Sequence, residues 1–337
     1  MPVYNAEQYV AEAIESVLNQ SFKDFIFLII NDGSSDGTLD IINSFNDSRI
    51  KLIQNNQNLG FASSLNKGIS LIDTEYIIRM DADDICLQNR FSEQIEYMCT
   101  NPEIGLSSSF IKTFGKSESV WTVPLINDEI KALLLFQSPF AHPASIIRTS
   151  LLKDNNLGYR TAYPPMEDYD LWYRLKDLTQ FGNLSNILLS YRTMGASMSS
   201  KNKQSFYTVL KKLHKQLLFD LEIRPTEEEL ELHFEISRSE QPLSHPLVNY
   251  KNWMNKLIEK NNLAGTYPQK ALVQLLDQLW IQLFNRVMHK GIGHVATHFV
   301  LSKQLNWNNA ANYFHYLIRA LRGKFNFTGF TMVTLSI

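Results

Sequence analysis

Apolar side chains in the first half of the chain switch repeatedly between two spacings. Ala13, Ile14, Val17 and Leu18 recur at helical intervals and predict a first helix with one buried face. Phe25 to Ile30 form an unbroken apolar run of strand length, as expected for a strand covered on both faces. Turn residues follow from Asn31 to Thr38, then Leu39, Ile41 and Ile42 at helical spacing. Ile50 to Ile53 predict the next strand, and Ala62, Leu65 and Ile69 the next helix. Tyr76, Ile77 and Ile78 read as a short strand, Phe91, Ile95 and Met98 as a helix, and Ile104 to Ile111 as another strand. This alternation predicts βαβ units and an α/β fold with a mostly parallel sheet. The stretch from Trp121 to Ser150 is less regular, which suits loops that build a binding site. Met1 to Asn5 look like the end of a strand entering a loop, with the strand's earlier part absent, so a truncated or misassigned start is expected.

Beyond about Ser199 long helical periods take over. Thr226 with Glu229 makes a capping box after Pro225, and Leu272, Leu275, Leu276, Leu279 and Leu283 form an apolar helical stripe. A boundary near residue 210 divides an α/β domain, 1–210, from a helical domain, 211–337. With 337 residues, 44% of them hydrophobic, the chain can bury the cores this requires. Cys86 and Cys99 are its only cysteines, too few for a disulfide framework, and no apolar stretch is long enough to span a membrane. A cytoplasmic protein is the expectation.

The net charge of −2 hides an asymmetry. No acid follows Asp277, whereas Arg286, Lys290, Lys303, Arg319, Arg322 and Lys324 do. With Tyr313, Phe314, Tyr316 and Phe325 interleaved, this basic segment has three readings: contact with an anionic bilayer surface or a lipid-pyrophosphate acceptor, a dimer surface, or a solvated helical face. The first would place the protein peripherally on the inner face of the cell membrane. Nucleic acid is disfavoured, because no compact basic and aromatic array accompanies the charges.

The candidate chemistry lies at strand ends. Asp81, Asp83 and Asp84 directly follow the strand at Ile78, where open α/β sheets bind ligands. Acids so close repel one another unless a cation compensates, and a hard divalent ion shared with nucleotide phosphates does so. The competing reading makes them turn acids that cap the next helix, with Asp84 the residue best suited to that task. A second cluster, Glu167, Asp168 and Asp170, follows Pro164 and Pro165 and opens a helix whose apolar face is Leu171, Trp172 and Leu175. These acids could simply complement the helix dipole, the reading preferred for Asp170. Asp32 has an Asx-turn alternative, His142 before Pro143 divides between structure and substrate contact, and Trp172 reads as core.

Six segments taken together resemble the family 2 glycosyltransferases of the GT-A fold: PVYNAEQYVAEAIESVLNQSF, IINDGSSDGT, NLGFASSLNKGI, YIIRMDADDI, AHPASIIR and MEDYDLWYRL. They span roughly residues 1 to 200. The resemblance implies inverting transfer of a hexosyl or N-acetylhexosaminyl group from a nucleotide-diphosphate sugar, UDP favoured, to a glycan or lipid-linked glycan, as in bacterial surface polysaccharide synthesis. It implies Mn²⁺ or Mg²⁺ at a D-x-D motif, with Asp83 as direct ligand and Asp81 supporting the metal or contacting ribose. Asp32 resembles the nucleobase partner, and Pro2, Val3 and Tyr4 the loop flanking the base. Asp168 resembles the general base, with His142 and Glu167 on the acceptor side. Asn31 stands where the family commonly has a second aspartate, and Gln88 where a proline often follows the metal motif. A nucleotidyltransferase is a rival, but no glycine-rich basic phosphate loop is evident, and a noncatalytic sugar-binding protein on the same fold is a second.

Overall fold

Over the first fifty-odd residues, short apolar runs followed by turn residues let the chain return through a helix and lay the next strand parallel to the last. The computed structural model describes residues 1–194, 203–288 and 292–302. It opens with β1 (Pro2–Val3), α1 (Val10–Leu18), β2 (Phe27–Asn31), α2 (Thr38–Ser44) and β3 (Ile50–Gln54). The three strands pair in parallel in the order β1-β2-β3, with Pro2 opposite Ile30 and Phe27 opposite Ile50. Met1 extends this pairing: its amino group donates to the Leu28 carbonyl at 2.9 Å, and its own carbonyl accepts from the Ile30 N–H.

Helix α1 buries Val10, Ala13, Ile14 and Val17, a stripe one turn earlier than the sequence pattern suggested, against a core that includes Val3, Ile29 and Ile42. Strand β2 starts two residues into the Phe25–Ile30 run, leaving Ile26 60% exposed ahead of it.

The remaining elements of this region are α3 (Phe61–Leu71), β4 (Tyr76–Ile78), β5 (Ile85–Cys86), α4 (Arg90–Thr100), β6 (Ile104–Gly115), β7 (Val120–Trp121), α5 (Asn127–Leu133), a 3-10 turn at His142–Ala144, β8 (Ile146–Arg148), α6 (Thr149–Lys153), α7 (Glu167–Leu175) and β9 (Gln180–Thr193). A second sheet runs β4-β8-β6-β9-β5, with β7 paired to β6. Its longest pair, β6 with β9, is parallel from Ile104 opposite Gln180 to Gly115 opposite Thr193, while the other pairs are antiparallel. The irregular stretch after Trp121 thus contains α5 and β8, and β9 lies where the apolar pattern announced no strand. Asn183, Ser185 and Asn186 interrupt the apolar spacing of β9.

Among the described residues the chain forms two compact units, one from Met1–Leu134 and residues 138–209, the other from Leu135–Gln137 and residues 210–302. The second is built from the part of α8 (Lys203–Phe219) beyond Val209, with α9 (Glu227–Ser237), α10 (Leu247–Ala264), α11 (Gln269–Val287) and α12 (Ile292–Leu301). The capping box is complete: the Glu229 N–H donates to Thr226 Oγ1 at 3.2 Å, and the Thr226 N–H donates to the Glu229 carboxylate at 3.0 Å. Leu272, Leu276, Leu279 and Leu283 are buried along α11, with Leu275 at the margin. Within the basic segment, Arg286 is no free surface charge, because its guanidinium donates to the Glu235 and Gln241 carbonyls. Lys290, Lys303, Arg319, Arg322, Lys324 and the neighbouring aromatics lie outside the described residues. Among the described residues no helix is long and apolar enough to cross a membrane.

Candidate active site

Strand β4 ends at Ile78, and its exit delivers the acids. Ligand oxygens of Asp81, Asp83 and Asp84 all lie within 4.8 Å of one another. None caps the next helix: β5 intervenes, and α4 has Asn89 at its N-cap. The capping role expected of Asp84 is therefore corrected. Its buried carboxylate instead accepts the Arg192 N–H of β9 at 2.9 Å through Oδ1, while Oδ2 has no partner. Arg192 Nε also donates to the Asp83 carbonyl at 2.8 Å, and its guanidinium stacks on the Tyr9 and Phe114 rings at 4.6 and 4.4 Å. Strand β9 thus holds the acidic loop in place from more than 100 residues away.

Burial, then the charge of Asp81, pushes the Asp83 carboxyl up to about 6. Burial and both neighbouring acids raise Asp84 well above the carboxylate range. These are signs of negative charge held together without enough positive charge to balance it. The cation beside it is Arg79, buried, paired to Asp81 Oδ1 at 2.5 Å and lying over the Phe61 ring at 5.1 Å. Its Nε and Nη1 have no hydrogen-bond partner. Arg79 opposes the burial-driven rise at Asp83 and Asp84, and equally at Glu167 and Asp168. The two acid clusters, distant in sequence, therefore share one internal cation.

Glu167 and Asp168 open α7. Glu167 is buried with Oε2 unpartnered, and burial together with Asp168 pushes it up to about 7. Asp168 is partly exposed, and burial of its carboxyl pushes it up to about 6 against the Tyr169 N–H and Arg79. Asp170 is structural: it is buried and paired with Arg174 at 2.9 Å and Arg160 at 3.3 Å. Trp172 is core, as its spacing predicted, and its indole meets the rings of Phe140, His142 and Tyr159. His142 is tied to the Tyr159 hydroxyl at 3.0 Å through Nε2, and burial followed by Arg79 keeps its ring neutral.

Asp32 directly follows β2. Its N–H donates to the Val3 carbonyl at 2.8 Å. Its carboxylate accepts from Asn55 Nδ2 at 2.7 Å and from the N–H groups of Leu59 and Gly60 at 3.0 and 2.9 Å. The Asx-turn alternative fails, because the local turn bond comes from Asn31, whose Oδ1 accepts the Ser34 N–H at 3.2 Å. Gly60 reaches Asp32 with a φ of 90°, a conformation that favours glycine. Pro2 and Val3 are buried in the sheet, while Tyr4 is 49% exposed just beyond it.

The description "Glycosyl transferase family 2" matches residues 1–155. An uncharacterized glycosyltransferase of Haemophilus influenzae is 32% identical over 226 residues, covering 63% of this chain and 70% of that protein. This chain belongs to glycosyl transferase family 2. An Escherichia coli relative named as UDP-Glc:alpha-D-GlcNAc-diphosphoundecaprenol beta-1,3-glucosyltransferase WfgD is 32% identical over 47% of this chain and 70% of its own length. Among solved structures, S. aureus TarS 1-349 in complex with UDP-GlcNAc aligns with a TM-score of 0.55 at 18% identity, covering 85% of this chain and 87% of that one. The fold is GT-A, and this family 2 member is a glycosyltransferase.

Several site residues carried no assignment in the sequence reading. Arg79 had a signal, since it sits inside the quoted YIIRMDADDI segment, but its burial did not. Arg192, Tyr159 and Phe61 reach the site only through sheet and loop topology that local spacing does not encode.

Proposed function

We propose that this glycosyltransferase moves a sugar, with inversion, from a nucleotide-diphosphate sugar to a hydroxyl of a glycan or lipid-linked glycan. The observation that carries this reading is the division of one charged site into two acid groups, Asp81 with Asp83 at the end of β4 and Asp168 at the start of α7, both acted on by Arg79. UDP is the favoured nucleotide, in keeping with the names of the E. coli and S. aureus proteins.

The acidic loop fits a hard divalent ion, because its carboxylate oxygens cluster within 4.8 Å and Asp84 Oδ2 is buried with no donor. Asp83, assisted by Asp81, would hold Mn²⁺ or Mg²⁺. When bound, such an ion supplies Lewis-acid stabilisation of the departing diphosphate. Asp32 and Tyr4 bind the nucleoside end, with Pro2 and Val3 setting the backbone from which Tyr4 projects. Asp168 takes the proton from the attacking hydroxyl. Its value of about 6 suits that task, since near neutral pH it is ionised yet keeps useful basicity. Glu167 and the neutral ring of His142 line the acceptor side. The basic C-terminal segment is proposed as a peripheral contact with an anionic membrane surface, where a lipid-linked acceptor would lie.

The test is a nucleoside-diphosphate release assay with UDP-glucose or UDP-GlcNAc, Mn²⁺ or Mg²⁺, and a GlcNAc-diphospholipid acceptor. Acceptor-stimulated, metal-dependent UDP release supports the reading. Pyrophosphate release would establish a nucleotidyltransferase instead, and donor binding without turnover across an acceptor panel would establish a noncatalytic binding protein.

A further inference from the structure

We propose that Asn66 is a positioning residue that ties the donor-side helix α3 to the loop at residues 158–160 and, through that loop, to the helix bearing Asp168. The inference rests on the reading of Asp168 as the acceptor-side base. Asn66 Nδ2 donates to the Tyr159 carbonyl at 2.7 Å, and Asn66 Oδ1 accepts the Tyr159 N–H at 2.7 Å, a reciprocal pair across 93 residues of sequence. One side-chain amide that satisfies both peptide groups of a single residue fixes the rotation of that backbone as well as its position.

The approach is close enough to exclude a side chain. A Cβ built on Gly158 would lie 2.6 Å from Asn66 Oδ1, so the residue before Tyr159 has to be glycine for the pair to form. The same loop is held from its other side by α7. Arg174 donates to the Gly158 carbonyl and pairs with Asp170 at 2.9 Å, and Arg160 pairs with Asp170 at 3.3 Å. The Tyr159 hydroxyl meets His142 Nε2 at 3.0 Å.

At its other end, α3 touches the donor side. The Gly60 N–H donates to Asp32, and the Phe61 ring lies over Arg79, which pairs with Asp81. One rigid helix thus contacts the nucleotide acid and, through Arg79, the metal-side acid. Asn66 is its link to the loop that braces α7. The link is neutral, so it holds at any pH at which the protein is folded. A small displacement of a catalytic group lowers rate without disturbing binding elsewhere.

The test uses the full chain with Mn²⁺, UDP-glucose and the GlcNAc-diphospholipid acceptor. Asn66→Ala is expected to lower kcat/KM for the acceptor by about tenfold or more, while UDP affinity by calorimetry stays within about twofold of wild type. Asn66→Asp, which keeps the acceptor for the Tyr159 N–H but loses the donor, should lie between the two. Folding is checked by thermal melting, and Asn66→Asp carries the test if Asn66→Ala does not fold. Equal losses of UDP and acceptor affinity, or an unchanged acceptor kcat/KM in a folded variant, would overturn the proposal.

A second readout needs no activity. The Arg160 side chain is 48% exposed, so trypsin cleavage after it reports how firmly the loop is held. Faster cleavage in the Asn66 variants supports the clamp, and an unchanged rate overturns it. If wild type shows no transfer at all, the proposed function fails, and the clamp is judged on this cleavage alone.

Discussion

Buried titratable groups occur in both units of this protein, and their surroundings differ. In the first, Asp83, Asp84, Glu167 and Asp168 are raised by burial, and Asp84 Oδ2 and Glu167 Oε2 lack donors. In the helical unit, His214 and His233 are equally buried, yet each donates through Nε2 to a carbonyl, of Phe136 at 2.9 Å and Leu135 at 2.8 Å. His233 Nδ1 further accepts from the Trp253 indole at 3.3 Å, and its ring stacks on Phe136, which leaves only His214 Nδ1 unmet. A shifted pKa therefore does not distinguish a site from a scaffold. What separates these two sets is how far the surrounding protein satisfies each group. The histidines are neutral and mostly satisfied, whereas Asp84 Oδ2 and Glu167 Oε2 are buried with no donor.

The sharpest way to break this contrast is Asp83→Ala. Loss of this proposed metal ligand is expected to remove Mn²⁺-dependent UDP binding in calorimetry and to cost turnover about 10³-fold or more. Normal metal-dependent binding by that variant would make the cluster as structural as the histidines. Asp168→Asn should next lower kcat by about 10²-fold or more with UDP binding retained. A metal-supplemented variant that transfers at the wild-type rate would remove Asp168 from the role of base.

On the other side of the comparison, His233→Ala should cost about 2–4 kcal/mol of stability, since it empties the stack on Phe136 and orphans the Leu135 carbonyl and Trp253 indole. Chemical denaturation measures this. Acid affects the two regions through different observables. As pH falls below about 6, Asp168 gains its proton and kcat/KM should drop about tenfold per unit, visible in a pH–rate profile. In the helical unit the histidines link stability to pH. His233 protonates only at about 4 in the folded protein, whereas an unfolded histidine does so at about 6.5. At His233 the unfolded state then binds more protons, so its contribution to stability, read as the difference between wild type and His233→Ala, should decline from about pH 6.5 downward and level off once His233 itself is charged, whereas Asp83, Glu167 and Asp168, raised in the folded protein, act in the opposite sense.

How much of this was legible in sequence followed from how local each feature is. The Tyr76–Ile78 strand, the acids at its end and the Thr226–Glu229 cap depend on neighbours a few residues away, and each stands where the pattern put it. Asp84 was misread as a cap because β5, only two residues long, has no periodicity that would separate the acids from α4. Arg192 and β9 were invisible as site elements, since their contacts with the acidic loop arise from sheet pairing across more than 100 residues. The burial of Arg79, which lets one cation act on both acid clusters, is likewise a product of packing rather than spacing.

The smallest expected effect lies in that most legible feature. Thr226 and Glu229 exchange hydrogen bonds at the start of α9, and Lys256 of α10 pairs with Glu229 at 2.5 Å. Thr226→Ala leaves the Glu229 N–H to find water, which is accessible because the pair is exposed, so the cost should be about 1 kcal/mol. Denaturant melts should register that loss, and UDP release kinetics should not change. The histidines cannot provide this test cleanly, because their loss disturbs packing throughout the unit. A capping variant perturbs the helical unit weakly and locally. If Thr226→Ala lowered acceptor kcat/KM while stability held, α9 would participate in transfer, and a helical unit read as satisfied scaffold would have to be counted with the site.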